Sequence, residues 1–443
     1  MDDLLTTGAL ALGRGIGAGR IDPVVLAEAY LDAIETHPHG TRIYARTTRD
    51  RALAEARAAK SRAGAGTRRG PLDGVPISWK DLFDTAGVAT ESGSALLKGR
   101  TPDRDALVVA RATAHGLVCL GKTHLSELAF SGLGLNPVTA TPPNVHDPDA
   151  VAGGSSSGAA ASVAHGLAPA AIGSDTAGSV RIPAAWNDLV GLKTTHGRLP
   201  LDGTVPLAAS LDTVGPLTRS VADAAALFAV MGGRDADLGA PSLSGVRVAV
   251  CRTVAFDGIE DAPAAGFETG RRALEAAGAS VTDRDLPSAA AALDLAAPIF
   301  GAETWGTWSK VIEAAPDRMF PQILDRFRGG QDVPGHVYVA ALNALAMLRR
   351  DWAAATADVD AVILPTCPIL PPKIAELTGD RYVERNLMAL RNTRIGSLLG
   401  LSALTLPTDT PSAGIMLMGR GGDDERLLRL GAALEMSLGT ASA

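Results

Sequence analysis

Hydrophobic and polar positions follow a helical period in some segments of the chain and a strand-like pattern in others. Apolar residues recur every three to four positions in 21–37 and 48–64, which predicts two N-terminal helices. Asp22 and Pro23 stand where the first helix should begin, and Gly64 stands where the second should end. The same period predicts further helices over 105–115, 157–165, 219–231 and 423–437.

Short apolar runs separate these segments, and their length and composition are typical of buried strands. The predicted strands are GVPISW (74–79), GLVCLG (116–121), LAPAAIG (167–173), VRVAVC (246–251), DAVILPT (360–366) and GIMLMG (414–419). Strands that alternate with helices predict an α/β fold, in which a mixed or parallel sheet is covered by helices on both faces. We expect a single large domain, with N-terminal helices in 1–65 packing on a core formed by 66–443.

Composition and charge limit the classes of function. The chain has 443 residues, 46% of them hydrophobic and 20% charged, which is enough to bury a large core. Its net charge is −7 and its 41 Lys and Arg residues are scattered, so we expect no nucleic-acid partner and no binding to an anionic membrane. The chain lacks a long apolar span, and its start, MDDLLTTGAL, lacks a signal-peptide pattern. We therefore expect a cytoplasmic protein.

Cysteine and histidine residues predict neither disulfides nor a metal site. Three cysteines lie far apart in apolar segments, as expected for buried thiols in a reducing compartment: Cys119, Cys251 and Cys367. The histidines are dispersed, and no HExxH motif is present. Four of them are candidate general bases, although none has the sequence context of a Ser-His-Asp triad: His124, His146, His165 and His196.

The segment GLVCLGKT, residues 116–123, matches the phosphate-binding pattern GxxxxGK[ST] letter for letter. A nucleotide-binding P-loop protein is therefore an alternative interpretation. A P-loop needs a flexible turn that follows a strand and precedes a helix. Here the four intervening residues are apolar and a predicted helix precedes them, so Lys122 and Thr123 are expected to end a core strand instead.

Three other stretches contain candidate catalytic chemistry. GSDTAGSVRIPAAW (173–186) is typical of a surface loop, or of backbone N–H groups aimed at a developing oxyanion. In GVPISWKDLFD (74–84), Lys80 is either a surface lysine or an amine in an apolar wall, where burial lowers the pKa and makes it a base. VAGGSSSGAAASVAHG (151–166) is, taken alone, typical of a flexible approach to a helix N-terminus.

Together, these stretches resemble the amidase signature family of serine hydrolases in residue type, order and spacing. The residues that correspond are Lys80, Ser155 and Ser179, and the two serines are 179 − 155 = 24 positions apart. The resemblance extends from about residue 20 to about residue 235. It resumes at DAVILPTCPILPP and RNTRIGSLLGLSALTLP.

This resemblance implies a catalytic triad. Ser179 corresponds to the nucleophile, Lys80 to the ultimate base and Ser155 to the serine that relays the proton between them. In the family, the relay serine follows a glycine through a cis peptide bond, here Gly154–Ser155.

The resemblance also implies an oxyanion hole formed by backbone N–H groups, those of Thr176, Ala177, Gly178 and Ser179. Asp175 and Arg181 correspond to residues that brace this loop. Many relatives have Gly at the position of Ala177, which would be strained there if the backbone required a positive φ.

Pocket walls are predicted at two places. Phe130, Ser131 and Gly132 align with a loop that flanks the acyl group in relatives. Trp305 and Trp308 have helical spacing, so they either line the entrance or pack in the core.

The implied activity is hydrolysis of a linear amide through an acyl-enzyme, with no cofactor and no metal. The implied partner is a small-molecule amide, and a homodimer is left open. The family also includes the glutamine-hydrolysing A subunit of a tRNA-dependent amidotransferase, which is the main alternative. The fold and the triad do not choose among substrates.

Overall fold

Helices and strands alternate along most of the chain in the computed structural model, which describes residues 2–439. The strands are β1 (Tyr44–Thr47), β2 (Pro76–Lys80), β3 (Val118–Thr123), β4 (Ala170–Ser174), β5 (Val190–Lys193), β6 (Val214–Thr218), β7 (Arg247–Cys251), β8 (Ser280–Arg284), β9 (Ala361–Pro365), β10 (Ser402–Pro407) and β11 (Gly414–Gly419). The helices are α1 (Asp2–Thr6), α2 (Ala9–Gly17), α3 (Pro23–Thr36), α4 (Gly40–Ile43), α5 (Arg49–Gly64), α6 (Leu107–Ala114), α7 (Ser157–Ala164), α8 (Arg181–Trp186), α9 (Val221–Val230), α10 (Asp261–Ala276), α11 (Ser288–Asp294), α12 (Ala296–Glu313), α13 (Pro321–Arg328), α14 (Gly335–Ala355), α15 (Gly379–Leu398) and α16 (Asp424–Leu438). Short 3₁₀ helices cover Ala95–Leu97, Glu127–Ala129, Pro316–Arg318 and Ile374–Glu376.

The eleven strands found within residues 2–439 form one sheet in the order β1-β3-β2-β4-β6-β5-β10-β11-β9-β7-β8. Strand β2 is parallel to β3 and β4, and β7 is parallel to β8 and β9, whereas the other neighbours are antiparallel. All six strands predicted from apolar runs are present. The predicted single α/β domain with a mixed sheet flanked by helices is confirmed.

The predicted N-terminal helices are α3 and α5. The Asp22 carboxylate accepts a hydrogen bond from the Val24 N–H at 2.9 Å, so it is the N-cap of α3, and α5 ends at Gly64 as expected. The segment before residue 65 also contributes β1, which pairs with β3 and which the helical pattern did not predict. The division of the chain into N-terminal helices (1–65) and a core (66–443) remains a prediction.

The P-loop alternative is wrong. Residues 118–123 form the buried strand β3, between β1 and β2, and follow α6, so the backbone is fixed in the sheet instead of curling around a phosphate. Lys122 is fully buried, and its amine donates hydrogen bonds to the Phe83 carbonyl at 2.6 Å and to Thr90 Oγ1 at 2.9 Å. The GKT sequence therefore ends a core strand.

Two further observations concern cysteines and helix polarity. The thiols of Cys119, Cys251 and Cys367 are buried and free, which confirms the predicted buried thiols. Within the described part of the chain, every helix is either too short or too polar for a transmembrane segment.

The carboxyl ends of the neighbouring parallel strands β2 and β4 lie side by side at the same end of the sheet. Ser78 pairs with Ala171 and Trp79 with Ile172 in the parallel register, so Lys80 and the end of β4 leave the sheet side by side. The carboxyl ends of parallel strands are a common place for a ligand site in α/β sheets.

Candidate active site

Lys80 is the last residue of β2 and is fully buried. Its Nζ donates hydrogen bonds to Ser155 Oγ at 2.7 Å and to Ser174 Oγ at 2.8 Å. Burial lowers the pKa of Lys80 to about 7, while the negative charges of Asp175 and Asp212 act in the opposite direction. A substantial fraction of this amine is therefore neutral near pH 7.

Ser155 lies just before α7 and is also fully buried. The Gly154–Ser155 peptide bond is cis, as the family resemblance implies. A Cβ atom at Gly154 would come within 2.6 Å of the Gly134 nitrogen and of Ser126 Oγ, so only glycine fits there. The Gly154 N–H donates to the Gly132 carbonyl at 2.8 Å and thereby ties this turn to the loop that contains Phe130.

Ser179 precedes α8 and is 4% exposed. Its carbonyl accepts a hydrogen bond from the Ser156 N–H at 3.1 Å, which holds the two serine segments side by side. No hydrogen bond joins the Ser155 and Ser179 hydroxyls among the contacts of the described residues. Lys80 is thus hydrogen-bonded to Ser155, and the backbone of Ser179 lies beside the segment that follows Ser155.

The loop between β4 and α8 is organised around the Asp175 carboxylate. It accepts hydrogen bonds from the N–H groups of Gly178 at 2.7 Å and Val180 at 3.1 Å, and from Arg181 Nε and Nη2, each at 2.9 Å. Burial alone would raise the pKa of Asp175, but the charge and hydrogen bonds of Arg181 hold it below its usual value. Both side chains are fully buried, so Asp175 and Arg181 form an ion pair inside the protein.

The predicted oxyanion hole requires a correction at Gly178. Its N–H is bonded to Asp175, so it is not free to receive a substrate oxygen. The N–H groups of Thr176, Ala177 and Ser179 make no hydrogen bond to any other described residue. The positive φ of this loop falls on Gly178, at 139°, rather than on Ala177, so alanine is unstrained in its position.

Ser174 and Asp212 also belong to this site, although no sequence pattern predicted them. Ser174 is the last residue of β4 and supplies the second acceptor for Lys80. Asp212 is buried and accepts a hydrogen bond from Thr176 Oγ1 at 2.6 Å. The position of Ser174 at a strand end was a usable signal, whereas Asp212 reaches the site only because β6 pairs with β4.

The four candidate histidines make no hydrogen bond to Lys80, Ser155 or Ser179 among the described contacts. His146 Nε2 pairs with Asp188 at 2.6 Å, and His196 Nδ1 lies 3.0 Å from the Asp212 carbonyl oxygen. Burial lowers the pKa of His124 and of His165 to about 4.

A cavity of about 620 Å³ lies beside the loop that contains Phe130. Of the predicted wall residues, Phe130 lines it, but Ser131 and Gly132 do not. The Ser131 hydroxyl instead accepts a hydrogen bond from the Tyr382 hydroxyl at 2.8 Å, and the Gly132 N–H donates to Asn386 Oδ1 at 2.8 Å. These two contacts fix the loop against α15.

The predicted entrance tryptophans do not line this cavity. Trp308 is 6% exposed, packs in the core and donates its Nε1–H to the Pro206 carbonyl at 3.0 Å. Trp305 is partly buried against the same core. From the same helix, α12, it is Phe300 that faces the cavity.

Known proteins resemble the chain over most of its length. The model of the Amidase family matches residues 25–428. A 2-amino-5-chloromuconic acid deaminase of Comamonas testosteroni is 37% identical, over 84% of this chain and 84% of its own. The A subunit of the glutamyl-tRNA(Gln) amidotransferase of Anaeromyxobacter sp. (strain K) is 34% identical, over 99% of this chain and 97% of its own. The native peptide amidase of Stenotrophomonas maltophilia superposes with a TM-score of 0.82 at 28% identity, covering 98% of this chain and 97% of that one.

Proposed function

Because the chain belongs to the amidase signature family, we propose that it hydrolyses a small-molecule amide to a carboxylate plus ammonia or an amine. The observation that supports this best is the 2.7 Å hydrogen bond between the buried Lys80 amine and the Ser155 hydroxyl. A lysine with a pKa of about 7 can accept a proton at neutral pH, as a general base must.

In the acylation half of the reaction, neutral Lys80 takes the proton of Ser155 while Ser155 takes that of Ser179. The Ser179 Oγ forms a bond to the amide carbon, and the carbonyl electron pair moves onto oxygen. This step requires a hydrogen bond from the Ser179 hydroxyl to Ser155. The carbon–nitrogen bond then breaks, and the proton returns through Ser155 to the leaving nitrogen.

In the deacylation half, water attacks the acyl group on Ser179 and gives its proton to the same relay. Collapse of this second intermediate releases the carboxylic acid and restores the Ser179 hydroxyl. The N–H groups of Thr176, Ala177 and Ser179 stabilise the negative oxygen in both halves. Gly178 keeps the loop in shape through its hydrogen bond to Asp175.

The test is the release of ammonia or amine by the purified chain from small aliphatic, aryl, dicarboxylic and urea-type amides. Ser179→Ala should abolish release on every member of the panel. Ser162→Ala is the matched control, because this buried serine bonds to the Ala159 carbonyl at 2.8 Å within α7. Near-normal turnover by Ser179→Ala would contradict the proposal.

Loss of one triad member should also remove most of the benefit of the others. Lys80→Ala, Ser155→Ala and Ser179→Ala should each lower kcat by about a thousandfold or more, and the double variants should lose little beyond that. Additive losses would indicate that the three residues do not act as one unit.

Glutamine hydrolysis within a glutamyl-tRNA(Gln) amidotransferase is a second candidate function, favoured by the relative that is 34% identical over 99% of the chain. A protein of this kind would hydrolyse glutamine and would depend on partner proteins. Weak activity of the purified chain on all small amides, increased by added partner proteins, would support this alternative. A cytoplasmic location and a homodimer remain expectations.

A further inference from the structure

Two arginines that have no acidic partner line the cavity beside Phe130. Arg326 comes from α13 and Arg394 from α15, so they reach the cavity from different helices. Neither guanidinium makes an ion pair or a hydrogen bond with any other described residue. The Nε of Arg394 is enclosed by protein and has no acceptor. Because a guanidinium without hydrogen-bond partners is costly to bury, an anion in the cavity that pairs with these two groups gains affinity.

Each of the two guanidinium groups lies over the face of an aromatic ring. The Arg326 guanidinium lies 4.3 Å from the centre of the Phe130 ring, and that of Arg394 lies 5.9 Å from the Phe300 ring. A guanidinium that lies over a ring uses its flat face for that contact, which leaves the edge with its two terminal Nη groups available for hydrogen bonds. That edge is the part that binds a carboxylate through two parallel hydrogen bonds.

The acidic residues of the cavity do not neutralise these arginines. Asp325 and Asp380 also line the cavity, but both are exposed and neither forms an ion pair with Arg326 or Arg394 within the described chain. Burial lowers the pKa of Arg394 to about 9, and the positive charge of Arg326 makes a smaller contribution in the same direction. Burial likewise lowers the pKa of Arg326 to about 10. A bound anion would relieve the unfavourable electrostatics of both groups.

Hydrogen bonds connect the wall of the cavity to the candidate active site from two sides. Phe130 precedes Gly132 by two residues, and the Gly132 carbonyl accepts the Gly154 N–H beside Ser155. Arg394 follows Thr393, whose hydroxyl donates to the Ala177 carbonyl at 2.7 Å. The wall of the cavity is therefore joined by hydrogen bonds to both loops that would hold the reacting amide.

We propose that Arg326 and Arg394 bind a carboxylate of the substrate, so that the preferred substrates are amides whose other end is an anion. The aromatic and aliphatic side chains of the wall suit an apolar or aryl spacer between the two groups. The turnover of such substrates rests on the amidase function proposed above, whereas their binding does not.

The kinetic test uses two amides that carry a carboxylate, 4-carbamoylbenzoate and glutaramate. Each is compared with its methyl ester, which keeps the amide but has no charge. The acids should show a kcat/KM at least about tenfold higher than their esters, because a charge-assisted bidentate contact is lost in the ester. Arg326→Met and Arg394→Met should each raise KM for the acids about tenfold or more, and should leave kinetics on the esters nearly unchanged.

Two further sets of variants separate a specific contact from general charge. Arg328→Met removes one positive charge from the same helix, but that arginine pairs with Glu313 at the surface, so KM for the acids should not change. Arg326→Lys and Arg394→Lys keep the charge and lose the fork of N–H donors, so they should fall between wild type and the Met variants. If a Met variant does not fold, the corresponding Gln variant replaces it.

Equal kcat/KM for acid and ester in the wild type, or equal losses on both in the arginine variants, would overturn the inference and leave the amidase function intact. Calorimetry with the products terephthalate and glutarate tests binding without turnover. Binding of these dianions that Arg394→Met weakens about tenfold would support the anion site, even if the protein hydrolysed no amide. The lack of hydrolysis would then contradict only the proposed amidase function. Binding that is unaffected by the arginine variants would contradict the anion site directly.

Discussion

The Lys80 side chain is surrounded by hydroxyl groups rather than carboxylates, and this environment determines its chemistry. Within residues 2–439, its amine donates hydrogen bonds to Ser155 and Ser174. The negative charges of Asp175 and Asp212 raise its pKa only through space, without a hydrogen bond to the amine. A carboxylate in direct contact would fix the proton on the amine. Hydroxyl partners can instead pass a proton on, which is the property that a relay needs.

The pH dependence of the reaction should follow the neutral fraction of Lys80. Because burial lowers the pKa of this amine to about 7, the protonated form dominates below that pH and cannot accept a proton. We expect kcat/KM to rise about tenfold per pH unit below this value and to level off above it. A rate that is constant across this range on a substrate without its own titration would contradict the role of Lys80.

Ser174 should act as a positioning residue for Lys80. Ser174→Ala removes one of the two acceptors that hold the ammonium form, so kcat should fall by about tenfold. The pKa seen in the pH profile should also move lower, because the charged amine has lost a hydrogen bond.

Ser162→Ala serves again as the control, and it should change neither kcat nor the pH profile. If Ser174→Ala lowers kcat without moving the profile, its hydroxyl supports the structure but does not tune the base.

At the scale of elements, α15 holds the loop between β4 and α8 in place from the far end of the chain. Arg181, at the start of α8, donates to the Thr393 carbonyl at 2.8 Å and to Ser397 Oγ at 2.9 Å, in addition to its contacts with Asp175. The loop, α8 and α15 are thereby joined through one buried guanidinium. This arrangement links the backbone N–H groups proposed for the oxyanion hole to the helix that carries Arg394.

Removal of this buried guanidinium should be strongly destabilising. Arg181→Met leaves the Asp175 carboxylate buried without its partner, which should lower the free energy of unfolding by about 3–5 kcal/mol. Arg252→Met is the matched control, because its ion pair with Asp283 has side chains that are 36% and 47% exposed. We expect the control to cost less than about 1 kcal/mol.

Urea denaturation of the two variants beside wild type measures both values. Equal losses would show that the Asp175–Arg181 pair contributes no more than a surface ion pair.

Gly178→Ala tests the shape of the loop. A Cβ atom there would lie 2.1 Å from Thr393 Oγ1, on a residue whose φ is 139°. We expect a large loss of kcat together with a lower Tm, since the loop or α15 must move. Gly197→Ala provides the control: its φ is 78° and nothing lies within 4 Å of the added atom. It should cost about 1 kcal/mol of stability and leave kcat unchanged.

Sequence patterns predicted six of the eleven strands found in the described chain and missed β5 (VGLK) and β10 (SALTLP), whose apolar residues are interrupted by Gly, Ser or Thr. They missed β6, because its sequence VGPLT contains Gly215 and Pro216 and is typical of a turn, although it lies in the middle of the sheet. They also missed β1 and β8, which have polar or half-buried sequences. Tertiary pairing, rather than local propensity, forms these strands.

The candidate site was predictable where its residues form contiguous motifs. Lys80, Ser155 and Ser179 stand in recognisable stretches and come from adjoining elements in the structure. No pattern marked Asp212, Arg326 or Arg394 as a site residue, although Arg394 stands within RNTRIGSLLGLSALTLP, and only the folded chain brings them to the site or the cavity. The hydrogen bond from Gly178 to Asp175 was equally unpredictable, because it depends on the turn of a single loop.

At the scale of the whole molecule, segments from most of the chain converge on one edge of the sheet. β2 supplies Lys80, the approach to α7 supplies Ser155, and the loop after β4 supplies Ser179. More than two hundred positions later, α15 supplies the contacts to Arg181 and the Thr393 hydroxyl. A site assembled in this way depends on the integrity of the entire domain.

The most direct test of the proposed chemistry is to identify the acyl-enzyme. An amide that is turned over should be mixed with the enzyme, quenched in acid within the first turnovers, and the protein digested and analysed by mass spectrometry. We predict an added acyl mass on the peptide that contains Ser179, and none in Ser179→Ala. An acyl group on another residue, or turnover that persists in Ser179→Ala, would contradict the assignment of Ser179 as the nucleophile.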